Sequence, residues 1–135
     1  MELADTSAWT NRHRDDAVRV DFDTRVMRGE IATCPPVVME LLWSARARAD
    51  FEDTASRMSA LPQFEADRPV WVRAVAVWSE LVRRGRHRQA RQPDLLIAAV
   101  GELAGVVVCH YDQHFDVIAE VTGQPVRAIA PLGTL

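Results

Sequence analysis

The sequence contains no lysine, and this absence excludes several kinds of chemistry. All 16 basic residues among the 135 are arginine. Without lysine the chain cannot carry the phosphate-binding loop of nucleotide hydrolases, a Schiff base or a lysine general base. It also cannot form the acidic pocket of a receiver domain, which needs a lysine at the end of a late strand.

Cysteines are scarce, and long apolar runs are absent. Cys34 and Cys109 are too few for a thiolate metal cage and form no Cys-x-x-Cys pair, so we expect two buried free thiols. No stretch is apolar enough for a membrane span, and no basic start precedes an apolar secretion signal. We therefore expect a cytoplasmic protein without a membrane partner. The net charge of -3 means that a nucleic-acid partner would have to be recognised by local basic clusters.

The stretch from Pro93 to Asp116 organises the rest of the chain. Pro93 and Asp94 suit the first turn of a helix, and the apolar residues 95–100 indicate that this helix is buried. Gly105 marks its end, residues 106–108 are typical of a buried strand, and Asp112 suits the N-cap of another helix. Asp94 and Asp112 should therefore lie at one edge of the sheet, where open α/β folds place their sites.

The remaining patterns predict strands and helices that alternate along one domain, residues 1–135. We expect a three-layer α/β/α sandwich with a mostly parallel sheet. The apolar stripe of Trp71, Val75, Trp78, Leu81 and Val82 should be core or interface. Further strands are predicted at 2–5, 30–34 and 126–129, with a brief edge strand near 63–65, and further helices at 15–28, from 35, at 51–61, from 69 and from 113.

Four carboxylates are predicted to project from the carboxyl edge of this sheet. They are Asp5, Glu40, Asp94 and Asp112. Carboxylates packed together repel one another, and a hard divalent cation removes that cost. Mg²⁺ is the expected ion, with Mn²⁺ as the other candidate, and such sites typically perform phosphoryl chemistry through metal-activated water.

The order and spacing of four sequence blocks resemble those of PIN-domain ribonucleases, specifically the VapC toxins of bacterial toxin–antitoxin pairs. The blocks are DTS from Asp5, PPVVMEL from Pro35, DLLIAA from Asp94 and YDQHFDVIA from Tyr111. The similarity covers nearly the whole chain, and no single block would suffice. It implies that Asp5, Glu40, Asp94 and Asp112 form a catalytic metal site that hydrolyses RNA without a covalent intermediate. It also implies a toxin homodimer and a cognate antitoxin that blocks the site in a hetero-oligomer.

The last block departs from the family pattern. Relatives often have an aspartate at the position of His114, in a D-x-D-F pattern, whereas here a carboxylate recurs at Asp116. We expect Asp116 to be a fifth candidate for the metal site, on the helical face of Asp112, and to support the ligands rather than bind the ion directly. We expect His114 to be a surface residue, and the alternatives are that it faces the RNA phosphate or supports the site from outside. Thr6 and Ser7 should hold a ligating carboxylate or a metal-bound water by hydrogen bonding.

The densest basic segment leads directly into Asp94. Its arginines are predicted to contact RNA phosphates, although a solvated loop is the alternative. They are Arg83, Arg84, Arg86, Arg88 and Arg91. Two other functions stay open: an acidic-site phosphoesterase or DNA nuclease, and a degenerate PIN fold that only binds a partner. Full occupancy of the four carboxylate positions favours the ribonuclease.

Overall fold

A parallel four-stranded sheet forms the centre of the computed structural model, which describes all residues from Met1 to Leu135. The spatial order of the strands is β2-β1-β3-β4. Leu3 of β1 pairs with Ala32 on one side and with Val108 on the other. The strands are β1 (Glu2–Ala4), β2 (Ile31–Ala32), β3 (Val107–His110) and β4 (Val126–Ala128).

Seven helices surround the sheet. Right-handed crossover connections assign the helices between β1 and β2 to one face and those between β2 and β4 to the other. Contacts of α5, α6 and α7 with one another agree with this arrangement, which makes the predicted three layers. The helices are α1 (Thr6–Asn11), α2 (Asp16–Met27), α3 (Pro35–Trp43), α4 (Arg48–Ser59), α5 (Arg68–Arg83), α6 (Gln92–Ala104) and α7 (Gln113–Thr122). None of them is both long enough and apolar enough to cross a membrane.

Helix α6 has the buried position that its apolar sequence predicts. Every residue from Asp94 to Gly101 is buried. A Cβ atom at Gly101 would overlap the side chain of Val108, so glycine here lets α6 lie closely against β3. The helix ends at Gly105, whose φ of 69° is the left-handed conformation that glycine adopts most readily. Both cysteines are buried and free, as predicted.

Some predicted boundaries were wrong near the start of the chain. Helix α1 begins at Thr6, where no helix was expected before Asp15, because the Asp5 side chain caps it by accepting from the Ser7 backbone N–H. Strand β2 is only two residues long. The expected edge strand near Gln63 is a single bridge to Thr33, and α4 begins three residues before Phe51.

The apolar stripe predicted on α5 is mostly exposed within this chain. Of the five residues in this stripe only Leu81 is buried, and the other core side chains of α5 are Val70, Ala74 and Val77. The residue that follows each of these core positions is exposed: Trp71 and Trp78 are each 48% exposed, and Val75 and Val82 are also exposed. Helix α5 is therefore apolar on two adjacent faces, of which only one packs against its own core.

Candidate active site

The candidate site lies where the chain leaves β1 and β3. These neighbouring strands connect onward in opposite directions, because β1 leads to β2 at one edge of the sheet and β3 leads to β4 at the other. Such a switch point opens a crevice at the carboxyl ends of the strands. Asp5 directly follows β1, and Asp112 lies two residues beyond β3. Asp94 and Asp112 come together with His114, each offering a ligand atom within 4.8 Å of the others.

Asp5 is almost completely buried at this crevice. One carboxylate oxygen, Oδ2, accepts the Ser7 backbone N–H at 2.8 Å and the Ser7 hydroxyl at 2.5 Å. The other oxygen, Oδ1, is buried without any hydrogen-bond partner. The pKa of Asp5 is raised to about 6: burial is the main cause, the Ser7 hydrogen bonds partly oppose the rise, and the charges of Asp94 and Glu40 add to it.

Ser7 also ties together the ends of the two central strands. While its hydroxyl donates to Asp5, its oxygen accepts the Tyr111 backbone N–H at 2.8 Å. The residue before it, Thr6, donates its hydroxyl to Glu40 Oε1 at 2.9 Å. Thr6 and Ser7 thus each hold one of the predicted carboxylates by a hydrogen bond, which fixes the carboxylate's orientation.

Asp94 is fully buried and lies between two basic side chains. The Nε and Nη2 atoms of Arg91 lie 3.3 Å from its two oxygens, and His114 Nδ1 lies 2.8 Å from Oδ2. The hydrogen bond to Asp94 and the negative charge of Asp94 raise the pKa of Arg91 above its ordinary value. His114 is therefore not the surface residue that we expected, since its ring reaches into the site and also lies 3.3 Å from Asp112 Oδ1.

Asp112 is positioned by helix α7 and by a buried histidine. Its side chain caps α7 by accepting the His114 backbone N–H at 2.9 Å. Its own N–H donates to Nδ1 of His110 at 3.1 Å, so this imidazole carries its proton on Nε2. His110 is fully buried, and desolvation lowers its pKa, which keeps the ring neutral.

Asp116 contacts His110 and does not join the cluster of possible ligand atoms. Its Oδ1 is 3.6 Å from Nε2 of His110, and its side chain is 53% exposed. The three residues that converge as possible metal ligands do not include it. The helical spacing from Asp112 does not bring Asp116 into the site, because Asp112 is the N-cap and has a non-helical backbone.

The basic segment is largely paired with carboxylates. Arg83 and Arg84 both contact Glu80 on α5, and Arg86 contacts Glu120 on α7. Arg91 contacts Asp94. Arg88 is exposed and is the one predicted RNA-binding arginine without an ion pair.

The residues at the crevice fit a divalent cation. The Asp5 oxygen without a hydrogen bond is costly to bury unless a cation or a water pairs with it. The donor set is mainly carboxylate oxygen, which hard divalent ions prefer. Asp5, Asp94 and Asp112 are the residues that would hold the ion, with Glu40 oriented by Thr6.

Sequence reasoning missed two contributors to this geometry. His110 comes after three valines and Cys109, and a histidine two residues before an N-cap aspartate is a detectable signal. Arg91 was assigned to RNA binding alone, yet it neutralises Asp94. Its position three residues before Asp94 in the first turn of α6 indicated that contact.

Comparison with known proteins identifies the family. The model of the PIN domain family matches residues 3–121. The chain is 40% identical to ribonuclease VapC21 and 35% identical to ribonuclease VapC18, both of Mycobacterium tuberculosis. These alignments cover 98% and 97% of this chain and 96% of each relative.

Solved structures share the fold at low sequence identity. The DNA-bound VapBC of Salmonella typhimurium has a TM-score of 0.73 at 18% identity, with 96% of this chain and 98% of that chain covered. The VapBC-1 of nontypeable Haemophilus influenzae has a TM-score of 0.74 at 10% identity, with 95% and 97% covered. The chain belongs to the PIN domain family and, within it, to the VapC group.

Proposed function

We propose that the chain is the toxin of a type II toxin–antitoxin pair. It acts as a single PIN-like domain that hydrolyses RNA phosphodiester bonds as a metal-dependent endoribonuclease in the cytoplasm. The observation that carries this proposal is the convergence of Asp94 and Asp112 at the switch point of the sheet, near Asp5, whose pKa the charges of Asp94 and Glu40 help to raise, with Glu40 held by Thr6. The ribonuclease names of relatives 35–40% identical to this chain support the activity and substrate class.

Each carboxylate has a distinct task in this proposal. Asp94 and Asp112 bind the ion, which is Mg²⁺ or Mn²⁺, and Asp5 offers its unpaired Oδ1. Bound there, the ion would supply positive charge for the attacked phosphate and would make water a better nucleophile. Ser7 and Thr6 keep Asp5 and Glu40 in place, so that little reorganisation is needed when RNA binds. Arg91, already at the site, is available for a substrate phosphate.

An antitoxin would inhibit the toxin by covering the site. Structures that share this fold are described as toxin–antitoxin complexes, which supports such a partner. The negative charge of the crevice favours an inserted Arg or Lys. A groove lined by Met39, Glu40 and Trp71 connects the crevice to the exposed apolar face of α5, where apolar antitoxin side chains would pack. Exposed Trp43 on α3 is the other surface available, and a homodimer of the toxin would bury such apolar area.

Cleavage of RNA in defined metal conditions tests the activity. Purified protein is incubated with a mixed-sequence RNA and with DNA of the same sequence, in Mg²⁺, in Mn²⁺ and in excess chelator. We expect internal cleavage of RNA that requires the ion, and little cleavage of DNA. Equal cleavage of DNA would favour a general nuclease, binding without cleavage would favour a degenerate PIN fold, and cleavage in chelator would refute the metal mechanism.

A further inference from the structure

His114 has the geometry of a metal ligand. Its Nδ1 lies 2.8 Å from Asp94 Oδ2 and 3.3 Å from Asp112 Oδ1, between the two carboxylates best placed to hold an ion. The backbone N–H of His114 donates to the same Asp112, which fixes the residue at the start of α7. The His114 nitrogen and one oxygen from each carboxylate all lie within 4.8 Å of one another, close enough to bind a single ion.

A second observation is an unpaired buried oxygen at the same crevice. Asp5 is 2% exposed, and its Oδ1 lacks a hydrogen bond, although Arg91 and His114 already contact the neighbouring Asp94. These two basic groups therefore do not satisfy Asp5. A cation bound at this end of the sheet would give this oxygen the partner that it lacks.

We propose that His114 is a direct metal ligand that shifts the preference of this site from Mg²⁺ towards first-row transition metals such as Co²⁺. The inference rests on the proposed metal site and specifies which ion that site selects. Imidazole nitrogen suits the later first-row metals, whereas Mg²⁺ prefers oxygen. The mixed nitrogen and oxygen donors of this chain distinguish it from an all-carboxylate site.

The alternative is that His114 only positions Asp94 by donating a hydrogen bond. His114→Asn separates the two roles, because its amide keeps a donor near the position of Nδ1 but has no imidazole nitrogen. His114→Asp replaces the imidazole with an oxygen ligand. His13→Asn is the matched control, since His13 is exposed on a turn before α2.

Association constants for Co²⁺ and Mg²⁺ are measured by calorimetry for the four proteins, with melting temperatures to confirm folding. We expect the ratio of the Co²⁺ to the Mg²⁺ association constant to fall at least about tenfold in both His114 variants, the lower end of the effect of changing metal-site partners. The ratio should not change in His13→Asn. A positioning role predicts an unchanged ratio in His114→Asn.

Proton NMR of the Co²⁺ protein reads ligation directly. A coordinated imidazole gives a strongly shifted signal from its second ring N–H that disappears in D₂O. We expect one such signal in the wild type and in His13→Asn, and none in the His114 variants. Its absence from the wild type, or an unchanged affinity ratio, would overturn the inference. Neither measurement needs RNA, so a protein that shows the signal but cleaves no RNA would refute the proposed ribonuclease and keep the histidine ligand.

Discussion

At the scale of single residues, Asp5 imposes a folding cost on the metal-free protein that depends on pH. Its pKa is raised to about 6 in the folded state, mainly by burial, against about 3.9 in an unfolded chain. The folded state therefore binds this proton more tightly, and stability falls as pH rises from about 4 to about 6. The full cost above pH 6 is roughly 3 kcal/mol.

Asp5→Asn should remove this dependence, since Asn keeps an oxygen for the Ser7 hydrogen bonds. We expect the free energy of unfolding of the variant to rise relative to that of the wild type between pH 4 and pH 7. This difference should level off after an increase of at most about 3 kcal/mol. Urea unfolding of both proteins in metal-free buffer measures the difference at each pH. A difference that stays constant between pH 4 and pH 7 would show that Asp5 titrates normally.

At the scale of elements, the segment after α5 tests how RNA phosphates are guided to an acidic crevice. Arg88 is exposed and free of ion pairs, whereas Arg84 donates to Glu80 within its own helix end. We expect Arg88→Ala to lower the slope of log affinity against log salt by about 0.7 for single-stranded RNA, the value for one phosphate contact. Arg84→Ala is the matched control and should change this slope less, because Glu80 already neutralises the charge of Arg84.

RNA binding is measured from low to moderate salt on Asp94→Asn protein, so that no substrate is cleaved. In the protein that retains Asp94, Arg88→Ala should change neither the position at which RNA is cleaved nor the affinity for the metal ion, because a phosphate contact contributes to RNA affinity rather than to chemistry. If both arginine variants keep the parent slope, the segment is a solvated connector and RNA approaches from another side.

Helices and strands that are specified by their own residues could be predicted from the sequence. Those whose ends depend on contacts with other parts of the chain could not. Pro93, the six apolar residues that follow Asp94, and Gly105 predict helix α6. The sequence also predicts Asp112 as the N-cap of α7. The carboxyl-edge position of the four acidic residues follows from such caps and from parallel topology. Helix α1 was missed because its apolar content is small and its start depends on one side-chain cap.

Side-chain partners were harder to predict than backbone positions. Asp116 has the helical spacing of a fifth ligand, yet it contacts His110, and His114 occupies the site instead. The directions of the His114 and Asp116 side chains depend on the geometry of the first turn of α7 and on the packing of His110. The spacing of residues in the sequence does not specify either of these. On α5 the two apolar faces are indistinguishable by spacing, so only the fold decides which one is buried.

At the scale of the whole molecule, the exposed face of α5 should be a partner surface. We expect Trp71→Ser with Trp78→Ser to weaken binding of the cognate antitoxin and to restore RNA cleavage in the mixture, because both rings are half exposed and Trp71 lines the groove that contains Glu40. Phe51→Ser on α4 is the matched control, since this ring is similarly exposed at 47%. The partner for this test is the cognate antitoxin.

Calorimetry of the antitoxin with the three toxins measures the affinities, and light scattering gives their oligomeric state. Unchanged affinity of the double tryptophan variant would place the antitoxin elsewhere. A dimer that becomes a monomer only in that variant would assign this face to the toxin homodimer instead.

The most direct test of the account is the rate of RNA cleavage by Glu40→Gln compared with the wild type at saturating Mg²⁺ or Mn²⁺. Gln keeps an oxygen to accept the Thr6 hydroxyl and removes only the charge, so the fold should persist. Asp53→Asn, an exposed carboxylate on α4, is the control. We predict a loss of at least about a hundredfold in Glu40→Gln and no loss in Asp53→Asn, the scale expected for one preorganised charge in an active site. Wild-type rates in Glu40→Gln would contradict the four-carboxylate site.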